Sequence, residues 1–337
     1  MDLLVLSGGA VRSVLSYPRC ADAMRAALTA RARGEVFQPL RSVLRPDGAA
    51  GLMATMPSFQ AGIGYGLKAI TITPGNPAVG LDAHQGIVLL SDTETGQPLA
   101  VLNASAVTEI RTAAVSAVAT EQLASPGSDV LAIVGTGVQA RSHLMAIAST
   151  LPLAEVRIAG SAPAKAAKFA ADVAPAALAE VGAAARVTAC DSVRAAVEGA
   201  HIVVTATSSA TPVLNREWLA PGTHINAVGA CLPHTRELDS LTVAGAALFA
   251  DSRDSVLAES GDYLLAAAEG AIGPDHIRAE IGDLLAGITP GQGLSRRNGA
   301  EITIFESLGL AIEDLAAAMA AYQAARGSGA GNWIEFD

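Results

Sequence analysis

The sequence predicts an α/β protein, with a doubly wound parallel sheet domain joined to a second, mixed α+β domain. Three observations carry that prediction. From Asp129 onward, short apolar strand runs alternate with alanine-rich helical stretches, the rhythm of a parallel sheet. The first 125 or so residues have a different rhythm, with β-rich runs parted by Gly and Pro clusters and flanked by two helical segments. The length of 337 residues suits two domains of ordinary size.

The elements follow in order. Residues 16–33 read as a helix, with Ser16 as N-cap, Pro18 in the first turn, Met24, Ala27 and Leu28 at helical spacing, and Gly34 as the stop. Between 37 and 91 the runs SVLR, GLMATM, YGLKAITI and GIVLLSD predict a sheet with turns. The stretch TPGNPAVGLDAHQG, 73–86, predicts a long loop of the kind that often serves function. Residues 103–124 predict a helix that SPGS ends. DVLAIVG, EVRIAG, ARVTAC, HIVVTAT, THINAVG and ALFADS then predict the buried strands of the parallel sheet. EITIFESLG predicts a final strand and turn, and 308–326 a final helix. The Gly-rich tail GSGAGNWIEFD predicts a mobile end on which Trp333 and Phe336 offer docking groups. The expected division is therefore 1–125 with 301–337 in one domain and 126–300 in the other.

Composition narrows the function. Against 22 Lys and Arg stand 32 Asp and Glu, a net charge of −10. A nucleic-acid binder carries a basic stripe, and the 4% aromatic content leaves few stacking platforms, so no nucleic-acid partner is expected. The same sign disfavours an anionic membrane surface. No run of about 20 apolar residues predicts a spanning helix. The opening MDLLVL, acidic at Asp2 and short, does not read as a signal peptide. Cys20, Cys190 and Cys231 are too few and scattered for a disulfide scaffold or a metal site, which fits a reducing cytoplasm. A mean hydropathy of +0.39 predicts large buried faces, and a subunit interface would bury them.

The strongest motif is Gly135-Thr136-Gly137-Val138-Gln139-Ala140, after a strand and opening a helix. It is the G-x-G-x-x-A form of the dinucleotide fingerprint. Gly135 serves the tight turn, Gly137 the approach of pyrophosphate, and small Ala140 the packing of helix on strand. The helix N-terminus adds N–H groups and the positive end of its dipole. An NAD site usually ends its second strand in a carboxylate for the ribose 2′-OH. Here EVRIA runs into Gly160-Ser161-Ala162-Pro163 without one. That permits a 2′-phosphate contacted by Ser161 and Lys165, so NADP(H) is favoured and NAD(H) is possible.

Three of the basic residues of the first domain stand out by their surroundings: Arg41 in QPLRSV, Lys68 in GLKAIT and Arg111 in EIRTAAVS. A strand lysine ordinarily points to solvent, whereas a long cation among the small residues after Arg111 suits a pocket. If the three converge, they make a clamp for a substrate carboxylate. His84 in the DAHQG loop is either a turn residue or part of such a pocket.

Over nearly its whole length the chain resembles the ornithine cyclodeaminase/mu-crystallin family. The resemblance rests on FQPLRSVL, GLKAITI, AHQG, RTAAVSAVAT, VGTGVQA, GTHINAVGA followed by REL, AESGD and TIFESLGLAIED. It is nearest the mu-crystallin, ketimine reductase side. It implies a homodimer, a dimerisation and substrate domain, and a Rossmann domain. It implies that Arg41, Lys68 and Arg111 bind the substrate carboxylate and surround the reacting carbon, with His84, Cys231 and Leu308 lining the same site. It places cofactor contacts at Thr112, Gly137, Val138, Gln139, Thr207, Ala227, Val228 and Ser307. The cyclodeaminases of the family carry G-G-D-C-P-G-K, whose Asp is the catalytic carboxylate. Here the segment is Gly229-Ala230-Cys231-Leu232-Pro233-His234-Thr235. Cys231 takes the Asp position, reads as a buried small hydrophobe, and turns the expectation from deamination toward NAD(P)H-dependent reduction of imino acids. Ornithine cyclodeamination, alanine dehydrogenation and a non-catalytic ligand-binding role are the alternatives.

Overall fold

The computed structural model describes residues 2–288 and 295–336. Two compact units result, Met1–Arg111 with Gly309–Asp337, and Thr112–Leu308. The strands, in chain order, begin with β1 (Asp2–Leu6), β2 (Val36–Phe37), β3 (Ser42–Leu44), β4 (Leu52–Gln60), β5 (Gly64–Ile72), β6 (His84–Ser91) and β7 (Pro98–Asn103). They continue with β8 (Val130–Val134), β9 (Glu155–Ala159), β10 (Arg186–Ala189), β11 (Ile202–Thr205), β12 (His224–Ala227), β13 (Ala247–Ala250), β14 (Ile277–Glu280), β15 (Thr303–Glu306) and β16 (Asn332–Glu335).

The first unit is one eight-stranded sheet in the order β16-β1-β7-β6-β5-β4-β2, with β3 also on β4. Only β1 and β7 run parallel; the remaining neighbours are antiparallel. Alternation along the strands gives the sheet two faces. Ala54, Met56, Val88 and Leu90 lie on the buried one. Helix Ala311–Ser328 covers β4, β5 and β6 there, and helix Tyr17–Ala32 lies against it. Gly66 is what allows the close approach, because a Cβ there would stand 2.9 Å from Leu315 Cβ. The opposite face is apolar and open, with Met53, Tyr65 and Ile87 exposed on it.

The second unit is a parallel sheet in the order β10-β9-β8-β11-β12-β15-β13-β14. Every neighbouring pair is parallel. Counted from β8, the first five strands take the 3-2-1-4-5 order of the doubly wound fold. Strands β11, β12, β13 and β15 are buried throughout, as a sheet covered on both faces requires.

Four features depart from the sequence expectation. Strand β15 does not leave the parallel sheet but inserts between β12 and β13. The division thus falls at 111/112 and 308/309, not at 125 and 300. It falls inside helix Ala104–Leu123, because SPGS marks where that helix ends and not where its packing partners change. The tail is no loose end: β16 pairs antiparallel with β1 from Asp2↔Glu335 to Val5↔Asn332, while residue 337 lies outside the described residues. The 73–86 loop is shorter than expected, with a 3-10 turn at Asn76–Val79 and His84 already opening β6. Among the described residues no helix is long and apolar enough to cross a membrane.

Candidate active site

Each unit carries one cluster of the expected residues. In the first, β5 turns Lys68 onto the face that helix Ala311–Ser328 covers, so only 2% of it is exposed. Its Nζ lies 2.6 Å from Asp314 Oδ2. The same carboxylate takes Arg111 through its other oxygen: Arg111 Nε donates to Asp314 Oδ1 at 3.0 Å, and Nη1 donates to Glu313 Oε2 at 2.6 Å. Arg41 Nη2 donates to the carbonyl of Gly309 at 3.1 Å. Gly309 has φ +81°, and a Cβ on it would stand 2.4 Å from Arg111 Nη1. The expected convergence of the three cations is thus present within this unit, but the expectation that a strand lysine faces solvent does not hold. Glu313 and Asp314 occupy the first turn of their helix, where acids suit the dipole, and Glu313 Oε2 also accepts from Leu310 N at 3.3 Å.

Burial sets the electrostatics. Removal from water pushes Lys68 down to about 8; Asp314 opposes that shift, and the charges of Arg111 and Arg41 add to it. Burial raises the carboxyl of Glu313 against the pull of Arg111. His84 opens its strand with an exposed side chain, yet partial burial and then the charge of Lys68 hold its ring below the usual range. The cluster therefore offers a dry ammonium able to exchange a proton near neutral pH, beside a guanidinium fixed by two carboxylates.

In the second unit, Gly135 has φ +130°, and a Cβ there would stand 2.5 Å from the carbonyl oxygen of Ala206. Gly137 caps helix Val138–Ala148 with nothing within 4 Å of where a Cβ would stand, Val138 is exposed, Gln139 is half-buried and Ala140 is fully buried. This is the tight turn, open cradle and close packing that a pyrophosphate site needs. Thr207, Ala227, Val228, Ser307 and Leu308 all lie at the carboxyl ends of β11, β12 and β15, the side of a parallel sheet where ligands bind. Ser307 N donates to Ala227 O at 3.0 Å, Val228 N to Thr205 O at 3.0 Å, and Leu308 N to Asp251 Oδ2 at 2.7 Å. Ser161, exposed, follows β9 beside Gly160, whose Cβ position is 3.6 Å from Thr136 Cγ2 of the fingerprint. Thr112 is buried in helix Ala104–Leu123 and makes no side-chain hydrogen bond among the described residues. Cys231 is half-buried, not enclosed as a core hydrophobe would be, and its Sγ donates to Val228 O at 3.2 Å.

Sequence reasoning missed the carboxylates. Glu313 and Asp314 are the counter-ions of the cation cluster, and Glu237, Asp251, Asp262 and Glu306 are buried in the second unit. A signal existed for Glu306, Glu313 and Asp314, which interrupt otherwise apolar or small-residue runs, whereas Glu237 and Asp251 stand among other polar residues. Among the described residues no group of three or more His, Cys, Asp or Glu is placed to hold a metal ion.

The family model for the ornithine cyclodeaminase/mu-crystallin family matches residues 1–329, and the chain belongs to that family. It is 40% identical over 290 residues to the ketimine reductase mu-crystallin of Mus musculus, covering 86% of this chain and 85% of the mouse protein. Among solved structures it is similar to the Thermococcus litoralis Δ1-pyrroline-2-carboxylate reductase in complex with NADH and L-proline. That likeness has a TM-score of 0.90 and 34% identity over 98% of this chain and 99% of the other. It is likewise similar to an archaeal alanine dehydrogenase dimer with bound NAD, with a TM-score of 0.90 and 32% identity over the whole of both chains.

Proposed function

We propose that this protein is an NAD(P)H-dependent reductase of imino acids, acting on a cyclic ketimine or an N-substituted imine of a 2-oxo acid to give an L-amino acid. The observation that carries this reading is the buried ammonium of Lys68 on a carboxylate it shares with Arg111. Arg41, Lys68 and Arg111 bind the substrate carboxylate, and Arg111 does so from a fixed orientation because Glu313 and Asp314 hold it. The bound nicotinamide supplies a hydride to the C=N carbon. Lys68 supplies positive charge or a proton at the nitrogen, where the electron pair of the broken π bond arrives. A cyclic ketimine already carries its proton near neutral pH, so a reductase tolerates Cys231 where a deaminase needs a carboxylate base. His84 and Leu308 are each assigned to substrate binding.

Gly135, Gly137, Val138 and Gln139 cradle the pyrophosphate, and Thr112, Thr207, Ala227, Val228 and Ser307 contact the rest of the cofactor. The two structural relatives named above hold NADH and NAD. The absence of a carboxylate at 160–163 supports the additional use of NADP(H), with Ser161 and Lys165 at the 2′-phosphate. The working unit is a homodimer in the cytoplasm. The open apolar face of the first sheet supports the dimer, as does the dimeric alanine dehydrogenase.

Oxidation of NADPH and NADH against a panel tests the reading: pyrroline-2-carboxylate, piperideine-2-carboxylate, pyruvate with methylamine, and pyruvate with ammonia. Turnover of the imines with little from pyruvate and ammonia supports it. The alanine dehydrogenase likeness favours the second reading, and preferential use of pyruvate with ammonia would establish that one instead.

A further inference from the structure

The carboxyl ends of β11 and β12 are tied together by one side chain that the expected cofactor contacts do not include. Glu237 is fully buried. Its Oε1 accepts from Thr207 N at 2.6 Å and its Oε2 from Gly229 N at 2.7 Å. Thr207 follows β11 by two residues and Gly229 follows β12 by two, so the carboxylate bridges neighbouring strands where their hydrogen-bond ladder has ended. The fit is close. A Cβ on Gly229 would stand 2.6 Å from Glu237 Cδ and 2.2 Å from Thr207 O. The backbone that carries this side chain is itself held, because Asp262 Oδ1 accepts from Glu237 N and Leu238 N, each at 2.8 Å.

We infer that Glu237 is a positioning residue for the dinucleotide: it spaces the two strand ends so that Thr207 and Val228 meet the cofactor. This rests on the reductase reading, which assigns Thr207 and Val228 to the cofactor. The geometry is specific for a carboxylate. Two backbone N–H groups converge on one side chain, and only a group with two acceptor oxygens satisfies both. An amide in its place turns an NH2 toward one of the two donors, leaving a buried N–H without an acceptor. Burial raises the carboxyl of Glu237 above its ordinary range, and the hydrogen bonds from Thr207 and Gly229 oppose that rise.

Two variants test the inference, Glu237→Gln and Glu237→Asp. The second keeps the charge but is one methylene too short to span both strands, and it keeps the test alive if the first does not fold. Each folded variant is titrated with NADH and NADPH by nicotinamide fluorescence, alongside a thermal melt and steady-state kinetics. Loss of one charge-assisted bond predicts a rise in cofactor Kd and KM of about tenfold or more. The KM for the imino acid stays unchanged, and kcat at saturating cofactor falls far less than the affinity does. A role in folding alone would lower the melting temperature and leave the Kd of the folded variant within about twofold of wild type, and that result overturns the inference. If wild type itself binds neither nucleotide, the reductase reading has failed before the variants are compared.

Discussion

At Lys68, burial and pairing pull in opposite directions. Loss of water favours the neutral amine and Asp314 favours the ammonium, and the balance stands at about 8. If reduction needs the ammonium, kcat/KM is flat below that value and falls tenfold per pH unit above it, since this ratio reports the free enzyme. Asp314→Asn removes the charge that raises Lys68, so the falling limb moves to lower pH. A limb belonging to the substrate's own imine would stay where it is. The same variant leaves Lys68 and Arg111 with a neutral partner in a dry site, and breaking such a pair costs about 3–5 kcal/mol, readable as a lowered melting temperature. Cys231 gives the second prediction at this scale. Its Sγ makes a weak donation to Val228 O at 3.2 Å, which a serine hydroxyl reproduces. Cys231→Ser therefore keeps most of the imine reductase activity, measured as cofactor oxidation. A loss beyond about tenfold would assign the thiol a chemical role.

The helix Ala311–Ser328 and the turn before it are the elements that assemble the cation cluster. Gly309 has φ +81°, its carbonyl accepts from Arg41, and its missing side chain leaves room for Arg111. Gly309→Ala adds a left-handed backbone cost of about 1–2 kcal/mol and pushes the Arg111 guanidinium off Glu313 and Asp314. The expected result is a KM for the imino acid raised by about tenfold or more with cofactor affinity unchanged, read by initial rates and fluorescence titration. The sequence disclosed the elements of this site better than their partners. Continuous apolar runs identified most of the parallel strands, and the fingerprint identified the turn after β8, because both are local patterns. Along β5 the alternation could not say which face is covered. Gly66 and Ile70 flank Lys68 on one face and Leu67 and Ala69 lie on the other, so both faces are apolar. Only the helix packed at Gly66 decides it. Glu313 and Asp314 read locally as acids at a helix start, and nothing near them in sequence announces a strand from early in the chain. Strand β15 was legible as a strand, but its insertion between β12 and β13 is a non-local choice.

For the whole molecule, the open face of the first sheet is the feature that asks for a partner. Residues 53, 65 and 87 lie on the same side of β4, β5 and β6, with Phe59, Leu67 and Leu89 half-buried beside them. A contiguous apolar face of this kind marks an interface. Light scattering is expected to give a dimer or a multiple of it, and the double variant Tyr65→Lys with Ile87→Lys is expected to move the protein toward monomer. A wild-type monomer at micromolar concentration would contradict the assembly proposed above.

In the proposed reaction a dry lysine and a reduced nicotinamide together reduce an imino acid. The most direct measurement follows NADH or NADPH oxidation with pyrroline-2-carboxylate while L-proline is quantified, for wild type and Lys68→Ala side by side. The expected result is one L-proline formed per cofactor oxidised, with the variant slower by about tenfold to a hundredfold, the weight of a lost charge-assisted contact. Proline and ammonia appearing from L-ornithine with NAD, without oxidation of reduced cofactor by any imine, would make the protein a cyclodeaminase and not a reductase.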